Sequence, residues 1–420
     1  MTTITIHPTK ALQGTVRLPP SKSQTMRACL FAALADGLSH VYNPLPSPDT
    51  DAMLTACRAL GAHIEPCTGG YAIRGVGMRR TLTSHAIDAG NSGIVLRFVG
   101  AVLGLFGEQV TITGDASMMA RRSCSALIRG LEQLGAKVTS NASHVPLTIL
   151  GPIRPGRVHI DGADSQPVSG CLIATSLLDG ISEIHVQNAG EKSWIALTMH
   201  WLQQQGVTIE HDAYSTFRVH GKKHFMPFHY RVHGDMSSLA YFLVAALLLP
   251  TDVCIEDVDL ADGQPDAVFL LILQKMGASF TIDHEAKKLF VKGPQRLCGA
   301  HIDINDCIDM ITIVAVVGCF ATGKTHITGA RIARDKESDR LHAITQELTK
   351  MGANIEESED GLIITSTELH GADLSSHGDH RIALALSVAA LCAQGPSTLT
   401  DIACIQKSFP DFFGSLAQLL

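Results

Sequence analysis

The amino-acid sequence predicts an α/β protein built from six copies of one small unit of helices and strands, with three copies in each of two domains. Three observations lead to this expectation: the length of the chain, a glycine that recurs at a regular interval, and a polar cluster that recurs before apolar helices. The chain has 420 residues, more than one compact core accommodates, and its 45% hydrophobic content is ordinary for a globular protein. Two domains are therefore the starting expectation.

The recurring glycine follows an amphipathic stretch and precedes a short alternating run. It appears at five positions about 70–75 residues apart, a period longer than that of solenoid repeats. These positions are Gly61, Gly135, Gly206, Gly277 and Gly352. A glycine just after a helix is typical of a left-handed C-terminal cap, from which the chain enters a strand directly. The regular spacing indicates a repeated unit and not the chance recurrence of a common turn.

The recurring polar cluster stands before a strongly apolar run. The clusters are Ser21-Lys22-Ser23, Gly90-Asn91-Ser92-Gly93, Asp164-Ser165-Gln166, Gly234 to Ser238, Asp306 to Asp309, and Gly378-Asp379-His380-Arg381. Ser, Asp, Asn and Gly are preferred N-cap residues, so each cluster predicts the start of a helix. The runs that follow, such as 94–106, 167–178, 239–249 and 382–392, are apolar nearly all round, which predicts fully buried helices.

Basic residues accompany these clusters. Each helix N-terminus carries about half a positive charge and free N–H groups, so buried helices that open into one cleft would attract anions. The basic side chains in or near the clusters are Lys22, Arg27, Arg97, Arg121, Arg340, Arg381 and Lys407. The sequence therefore predicts an enzyme for small, multiply anionic substrates. The formal net charge of −7 argues against a general binder of nucleic acid or of acidic membranes.

Cysteine spacing and hydropathy indicate the cellular compartment in which the protein works. The eleven cysteines are scattered, with no C-x-x-C pair and no Cys/His spacing suited to zinc, so we expect free thiols and no metal site. The N-terminus alternates like a strand and has no signal-peptide pattern. The longest apolar run, 239–249, is too short to span a bilayer. We therefore expect a cytoplasmic enzyme with no membrane or nucleic-acid partner.

The stretch from Gly318 to Thr325 matches the P-loop pattern letter for letter. A P-loop needs a strand before it and a helix after it, so that the helix N-terminus meets the phosphates. The repeat register instead makes 309–320 a buried helix, and the β-branched run at 325–329 is a poor helix start. We expect a helix that ends at Gly323 and leads into a strand, and not a nucleotide site.

Several ordered motifs resemble one family. They are Ser21-Lys22-Ser23 with Arg27, Gly90-Asn91-Ser92-Gly93 with Arg97, Gly114-Asp115 with Arg121, the segment Arg334 to Arg340, Asp379-His380-Arg381, and Lys407-Ser408-Phe409-Pro410. Together the chain resembles the EPSP synthase (3-phosphoshikimate 1-carboxyvinyltransferase) family over essentially its whole length. The resemblance implies two inverted α/β domains, each of three βαβαββ repeats. The N-terminal domain would span 19–231, the C-terminal domain would combine 1–18 with 232–420, and the cleft between them would hold the active site.

The resemblance also implies an activity. Members transfer the enolpyruvyl group of phosphoenolpyruvate (PEP) to the 5-hydroxyl of shikimate 3-phosphate and release phosphate, in the biosynthesis of chorismate and aromatic amino acids. The reaction is an addition followed by an elimination, so it needs carboxylates as general acid and base beside cations. No metal or organic cofactor is implied, a monomer is expected, and glyphosate is the implied inhibitor of the PEP pocket.

Site residues follow from the resemblance position by position. Asp309 resembles the group near the 5-hydroxyl, and Glu337 with Lys22 resembles the proton carrier at C3. The implied PEP-binding residues are Lys22, Gly93, Arg121, Gln166, Arg340, Arg381 and Lys407. The implied shikimate 3-phosphate-binding residues are Lys22, Ser23, Arg27, Ser165, Gln166, Asp309 and Lys336. Arginine suits the carboxylate of PEP because its fork binds bidentately.

Two departures concern the acceptor. Asp164 and Glu191 stand where the family offers hydroxyls to the 3-phosphate, and an unpaired carboxylate there would repel it. We expect both carboxylates to turn away and pair with neighbouring cations, with Lys192 and Arg27 as candidates. The alternative is an enolpyruvyl transferase of the same fold that acts on a different acceptor alcohol. A P-loop nucleotidase and a non-catalytic repeat scaffold are two further alternatives from other classes.

Overall fold

The computed structural model describes residues 2–420, which divide into two compact units. Unit 1 combines the N-terminal residues up to Pro19 with His233–Leu420, and unit 2 is Pro20–Val232. Each unit encloses its own hydrophobic core. The chain therefore leaves unit 1 after Pro19 and returns to it after Val232.

Within residues 2–420 the strands are short and form six sheets. In chain order they are β1 (Thr3–Ile6), β2 (Leu12–Arg17), β3 (Leu38–Tyr42), β4 (His63–Cys67), β5 (Gly70–Arg74), β6 (Ala86–Asp88), β7 (Gln109–Thr113), β8 (Lys137–Asn141), β9 (His144–Leu150), β10 (Arg157–Asp161), β11 (Ile181–Gln187), β12 (Thr208–Asp212), β13 (Thr216–His220), β14 (His229–Arg231), β15 (Thr251–Glu256), β16 (Thr281–Asp283), β17 (Lys288–Gly293), β18 (His301–Asp303), β19 (Lys324–Thr328), β20 (Asn354–Glu357), β21 (Leu362–Thr365), β22 (Asp373–Ser375) and β23 (Ser397–Thr400).

The helices fall into two kinds, buried helices next to the sheets and amphipathic helices that expose one face. In chain order they are α1 (Lys22–Leu34), α2 (Pro48–Ala59), α3 (Gly100–Leu103), α4 (Ala116–Ala120), α5 (Ser125–Gln133), α6 (Ser165–Ser176), α7 (Lys192–Gln204), α8 (Met236–Leu248), α9 (Val268–Lys275), α10 (Ile311–Phe320), α11 (Arg340–Lys350), α12 (His380–Cys392) and α13 (Phe412–Ala417). A π-helical segment, Val95–Val99, leads into α3, and 3₁₀ turns include Pro265–Ala267, Asn305–Met310, Arg331–Asp335 and Ile402–Lys407.

The same order of strands and helices recurs along the chain. In unit 2, β10 leads through α6 to the parallel strand β11, and then through α7 to the hairpin β12–β13, whose second strand pairs antiparallel with β11. The sheet order is β10-β11-β13-β12, and the corresponding orders β6-β7-β9-β8 and β18-β19-β21-β20 recur in unit 2 and unit 1. The predicted βαβαββ repeat is confirmed.

Some sheets take a strand from a distant part of the chain. β2 pairs in parallel with β15 and so supplies the first strand of the repeat that continues with α8. β14 pairs in parallel with β3 and supplies the first strand of the repeat that contains α1. β1 completes the last sheet by pairing antiparallel with β23. The N-terminal strands thus belong to unit 1.

The recurring glycine ends the second helix of its repeat, as the sequence predicts. Gly61, Gly135, Gly206, Gly277 and Gly352 have φ angles of +102°, +104°, +73°, +99° and +92°. Side chains rarely adopt this left-handed conformation, which explains why glycine recurs at the position. The turn returns the chain directly into β4, β8, β12, β16 or β20.

The polar clusters cap buried helical segments at five of the predicted positions; at one of them the Ser92 hydroxyl accepts the backbone N–H of Val95 at 3.4 Å. The side chains of Ser21, Asp164, Asp235 and Asp379 accept backbone N–H groups of α1, α6, α8 and α12 at 3.5, 3.0, 2.8 and 2.8 Å. The cluster at Asp306 to Asp309 differs, because it forms a 3₁₀ turn ahead of α10 and provides no side-chain cap. Asp309 is engaged by arginines instead, as described below.

The P-loop-like stretch has the order of elements opposite to that of a P-loop. α10 precedes Gly323, which is left-handed with φ +95°, and β19 begins at Lys324. Among residues 2–420 no helix is long and apolar enough to cross a membrane. The same residues contain no group of three or more His, Cys, Asp or Glu side chains suited to a metal ion.

Candidate functional site

Arg340 is the centre of an ion-pair network in unit 1. It opens α11, and its side chain is 1% exposed. Its guanidinium donates to Asp309 Oδ1 at 2.6 Å, to Glu337 Oε2 at 2.9 Å and to Asp379 Oδ2 at 2.8 Å. Burial by itself lowers the pKa of Arg340, but the three carboxylates outweigh it and hold the pKa well above its usual value. Three separate segments of unit 1 are therefore fixed around one permanent charge.

Asp309 bridges two arginines. Its second oxygen, Oδ2, accepts from Arg381 Nη2 at 3.0 Å. Arg381 opens α12 and is buried, yet the negative charge of Asp309 raises the pKa of its guanidinium above the usual value against the effect of burial. The Asp309 side chain remains 23% exposed, so this carboxylate is positioned by two cations and still open to solvent.

Glu337 is held in the same manner. Its Oε1 lies 2.8 Å from Lys407 Nζ, and both side chains are 11% exposed. Lys407 ends the 3₁₀ turn Ile402–Lys407. Lys336, the neighbour of Glu337, follows the turn Arg331–Asp335 in extended backbone and is partly exposed. The predicted residues Asp309, Glu337, Arg340, Arg381 and Lys407 of unit 1 thus lie together, and Lys336 is the chain neighbour of Glu337.

The network joins cations and carboxylates from several segments of unit 1. Three cations, Arg340, Arg381 and Lys407, are paired with three carboxylates, Asp309, Glu337 and Asp379. The arrangement therefore offers carboxylates as proton acceptors, beside cations that could also bind a substrate anion.

A further acid in unit 1 was not predicted from the sequence. Asp266 is 2% exposed and hydrogen-bonded to the Ser237 hydroxyl at the start of α8. Burial, and then the negative charge of Asp309, raises the pKa of Asp266 to about 7. The turn Pro265–Ala267 that carries Asp266 matches no catalytic motif, so only the folded chain reveals that this acid lies within the field of Asp309 and Arg381.

The start of α6 in unit 2 carries the first departure from the family pattern. Asp164 caps α6 through Oδ1, and its Oδ2 lies 3.1 Å from Arg97 Nε. Arg97 is buried, and it also donates to the backbone oxygen of Ser123. The expectation that Asp164 pairs with a cation is met by Arg97, which the sequence interpretation did not name as the partner.

Glu191 is the second departure, and it also engages the start of α6. Its Oε2 accepts both the backbone N–H and the hydroxyl of Ser165, each at 3.0 Å, and the residue is 2% exposed. The backbone of Glu191 is left-handed, with φ +46°. A carboxylate of the chain thus occupies donors at a helix N-terminus, a position that favours negative charge.

Gly93 lies against the ends of three long side chains. A Cβ atom built at this glycine would come within 2.8 Å of Gln166 Oε1, 3.0 Å of Arg122 Nη1 and 3.5 Å of Arg97 Nη1. The predicted residues Gly93 and Gln166 are therefore neighbours. A methyl group here would displace the Gln166 amide before it reached any ligand.

Lys22, Ser23 and Arg27 lie on the first turns of α1. Lys22 Nζ is 3.9 Å from Asp49 Oδ2. Arg27 is buried and donates to the Thr198 hydroxyl at 2.9 Å and to the backbone oxygen of Ser23 at 3.3 Å, and burial lowers its pKa to about 9. Its guanidinium thus joins α1 to α7, in addition to any contact with a ligand.

The two adjacent arginines after α4 differ in placement. Arg121, predicted as a phosphate ligand, is exposed at the end of α4. Arg122 is buried and directs Nη1 towards the Asn91 carbonyl and Gly93. The sequence interpretation grouped Arg97 with the Gly90-Asn91-Ser92-Gly93 cluster but gave it no role in the site, and it gave none to Arg122. The Gly-Asn-Ser-Gly cluster with a basic residue four positions later was the available signal for Arg97.

Comparison with known proteins identifies the family of the chain. The family model described as EPSP synthase (3-phosphoshikimate 1-carboxyvinyltransferase) matches residues 6–416. The 3-phosphoshikimate 1-carboxyvinyltransferase of Chlamydia caviae is 41% identical, covering 100% of this chain and 94% of that protein. The enzyme of the same name from Acetivibrio thermocellus is 36% identical over 96% of this chain and 95% of that protein.

Solved structures give the same result. The EPSP synthase of Acinetobacter baumannii superposes with a TM-score of 0.82 at 29% identity, covering 99% of this chain and 98% of that one. The enolpyruvyl transferase NikO from Streptomyces tendae, at 18% identity, shares the fold with a TM-score of 0.78, over 99% of this chain and 96% of that one. With the family model matched over nearly its whole length, the chain belongs to the EPSP synthase family.

Proposed function

We propose that the chain transfers the enolpyruvyl group of phosphoenolpyruvate to the 5-hydroxyl of shikimate 3-phosphate, giving 5-enolpyruvylshikimate 3-phosphate and phosphate. The observation that carries the proposal is the Arg340 network. It presents two partly exposed carboxylates, Asp309 and Glu337, fixed by buried or nearly buried cations. An addition–elimination between an alcohol and an enol phosphate needs such acids and bases beside positive charge.

The two carboxylates take different roles in the proposed reaction. Asp309 accepts the proton of the 5-hydroxyl as that oxygen bonds to C2 of PEP, while C3 of PEP gains a proton. Glu337, with Lys22, handles the proton at C3. In the second step C3 loses a proton, the C2–O bond to phosphate breaks, and the double bond re-forms. The steps move only protons and carbon–oxygen bonds, so the reaction itself requires no electron carrier.

Both units contribute side chains to these substrates in the proposal. Arg340, Arg381 and Lys407 are paired with carboxylates, and the anionic groups of PEP exchange for or add to these pairs. Unit 2 provides further groups for PEP, namely Lys22, Gly93, Arg121 and Gln166. Arginine forks bind the PEP carboxylate, whereas lysine acts as a point charge near phosphate.

The proposed binding site for the 3-phosphate of the acceptor contains two carboxylates, Asp164 and Glu191, in addition to the phosphate ligands. Ser23, Arg27, Ser165 and Lys336 are the proposed ligands, with Gln166 and Asp309 on the shikimate ring. Since Glu191 already accepts both donors of Ser165, the phosphate competes with that carboxylate or binds beside it. The pairing of Asp164 with Arg97 lowers the repulsion that Asp164 exerts on the phosphate. The pairing of Asp164 with Arg97 supports a phosphorylated acceptor over an unphosphorylated one.

Three finer expectations belong to the same proposal. The enzyme acts in the cytoplasm as a monomer, and glyphosate competes with PEP. Size-exclusion chromatography with light scattering tests the oligomeric state, and steady-state inhibition at varied PEP tests glyphosate.

The decisive experiment measures phosphate release from PEP by the purified protein, with shikimate 3-phosphate and with unphosphorylated shikimate as acceptors. We expect release that depends on shikimate 3-phosphate, together with a product whose mass matches the enolpyruvyl ether. Release that is faster with shikimate, or that occurs only with another alcohol, contradicts the assignment of the acceptor. No release with any acceptor alcohol contradicts the assignment of the reaction.

A further inference from the structure

The segment from Arg334 to Arg340 contains one basic side chain to which the proposed function assigns no role. Arg334 lies in the 3₁₀ turn Arg331–Asp335, two residues before Lys336 and three before Glu337. Its side chain is 18% exposed, and it donates hydrogen bonds to backbone carbonyls and to a carboxylate of the protein. It therefore requires an explanation other than a solvated surface charge.

Every nitrogen of the Arg334 guanidinium is engaged. Nε donates to the Glu359 carbonyl at 3.0 Å, and Nη2 donates to the Ser358 carbonyl at 2.6 Å. Nη1 donates to both oxygens of Asp339, at 3.1 and 2.9 Å, and lies 2.8 Å from Glu357 Oε1. The planar fork thus ties the turn to the β20–β21 hairpin on one side and to Asp339 on the other.

Asp339 is the far end of the same segment. It caps α11, because its Oδ1 also accepts the backbone N–H of His342 at 3.0 Å. The contact between Arg334 and Asp339 therefore closes a short loop of chain, with Lys336 and Glu337 inside it. The next residue after the loop is Arg340, the centre of the ion-pair network.

The hairpin provides a fixed support for this loop. Asp360 accepts the backbone N–H groups of Gly329 and Arg331 at 3.0 and 2.8 Å, so the hairpin holds the start of the turn as well. The loop is anchored at both ends, and its entropy is reduced before any substrate arrives.

We propose that Arg334 is a positioning residue for the reaction: by clamping Asp339 to the β20–β21 hairpin, it closes the loop that presents Lys336 and Glu337 to the substrates. This inference rests on the proposed function, because it assigns roles to Lys336 and Glu337. Arg334 itself touches no reacting atom. Its loss acts through the placement of the two residues inside the loop, and a small misplacement of a catalytic group costs up to about a hundredfold in rate.

The test compares Arg334→Ala with Arg331→Ala. Arg331 is on the same turn, has the same charge and is 54% exposed, but it reaches Asp335 and Glu359 and not Asp339. We expect Arg334→Ala to lower kcat by about ten- to a hundredfold, with KM for PEP changed by less than about threefold. Arg331→Ala retains kcat within about twofold of the parent.

A third variant, Arg334→Lys, separates geometry from charge. Lysine keeps the positive charge but has no fork to span Asp339 and the two carbonyls. We expect it not to restore kcat. Thermal unfolding of each variant is measured at the same time, and kinetics are compared well below the unfolding midpoint.

If Arg334→Ala does not fold, Glu357→Gln is measured in its place. This change removes the charge that pairs with Arg334 on the β20–β21 hairpin and keeps the shape of the side chain. A smaller fall in kcat with an unchanged KM for PEP then supports the proposal. A variant at either position that folds and turns over at the parental rate overturns it, as does an equal loss in Arg331→Ala. A parent that releases no phosphate with shikimate 3-phosphate contradicts the proposed function instead, so the two failures are distinct.

Discussion

At the scale of single residues, two acidic groups of unit 1 have opposite environments. Glu337 lies between Lys407 and Arg340 and forms an ion pair with each of them. Asp266 is buried beside another acid, and its pKa is raised to about 7. The same side-chain chemistry thus gives one group suited to proton transfer and one that stays neutral in mildly acidic solution.

The first prediction concerns Glu337→Gln, which keeps the shape of the side chain and removes its charge. Since general acid–base catalysis contributes about 10²–10⁴ in rate, we expect kcat to fall by at least about a hundredfold. The affinity for PEP should change far less, because Arg381 and the groups of unit 2 remain. Steady-state kinetics and PEP binding by calorimetry check this. Equal losses in kcat and in PEP affinity would show that Glu337 mainly organises the binding of PEP.

The second prediction concerns Asp266→Asn and pH. The pKa of Asp266 is higher in the folded protein than the value near 3.9 of an unfolded chain. Between about pH 4 and 7 the native state binds more protons than the unfolded state, so this group lowers stability as pH rises through that window. Asn mimics the neutral acid, and the variant should be more stable than the parent by up to a few kcal/mol at about pH 8.

The measurement is the free energy of unfolding in urea at several pH values. The advantage of Asp266→Asn should shrink towards about pH 4 and disappear at about pH 3 and below, where the parent side chain is neutral in both states. An advantage that is constant with pH, or a variant less stable than the parent at high pH, would show that Asp266 is ionised and satisfied in the folded protein.

At the scale of elements, a buried glutamate joins α11 to the loop before α12. Glu347 is fully buried and is held by Lys350 Nζ at 2.8 Å, by His377 Nε2 at 2.8 Å and by the backbone N–H of Ser375 at 2.9 Å. Burial raises its pKa, but these partners outweigh burial and the pKa is lowered. The helix that carries Arg340 and the loop that leads to Asp379 are thereby fixed to each other.

The third prediction is that Glu347→Gln destabilises the protein by about 1–3 kcal/mol at neutral pH, because charged hydrogen bonds are lost in a buried place. The sign with pH is opposite to that of Asp266. A lowered pKa contributes stability above the unfolded value near 4.3, and this contribution is lost as pH falls below it. Urea unfolding at neutral pH and near pH 4 checks both points. A neutral effect at pH 7 would mean that the three contacts only offset the cost of burial.

Sequence reasoning succeeded with features that depend on local chain geometry. The left-handed glycines, the capped buried helices and the misleading Gly323-Lys324-Thr325 stretch were all predicted from residues within a turn or two of each other. It did not find Asp266 or Arg122. Their environments depend on distant segments of the chain, here Asp309 for Asp266 and Gly93 for Arg122, and no short pattern encodes such contacts.

The partners of the two unusual carboxylates show the same limit. The sequence interpretation expected Asp164 and Glu191 to turn away and pair with neighbouring cations, because an unpaired carboxylate would repel the 3-phosphate of the acceptor. It did not indicate that Arg97 and Ser165 provide the contacts. The need of each carboxylate for a partner can be predicted from its position in the sequence. The identity of the partner depends on which side chains the folded repeats bring together.

At the scale of the whole molecule, the two units differ in how the chain builds them. Unit 2 is one continuous segment, Pro20–Val232, with all strands of its sheets inside it. Unit 1 needs β1 and β2 from the N-terminus to complete two sheets. Continuity predicts that unit 2 folds alone and that 233–420 alone does not fold stably.

The fourth prediction tests this difference with two fragments. We expect 20–232 to show cooperative thermal unfolding and dispersed amide resonances, because it retains its core and its sheet partners. Fragment 233–420 leaves β15 and β23 without one neighbour each, so it should aggregate or unfold at lower urea. A synthetic peptide of residues 1–19 should restore its stability. Equal stability of the two fragments without the peptide would contradict the prediction.

The pairing of β1 with β23 has a consequence for synthesis on the ribosome. Ile6 leaves the exit tunnel long before its neighbour Ser397 is translated, and at about 5–20 residues per second the interval is roughly 20–80 seconds. Unit 2 is complete well before that, so the nascent chain carries a folded middle with two waiting N-terminal strands. The last sheet forms only when the C-terminal residues emerge, because β1, the first strand to be translated, pairs there with β23, the last.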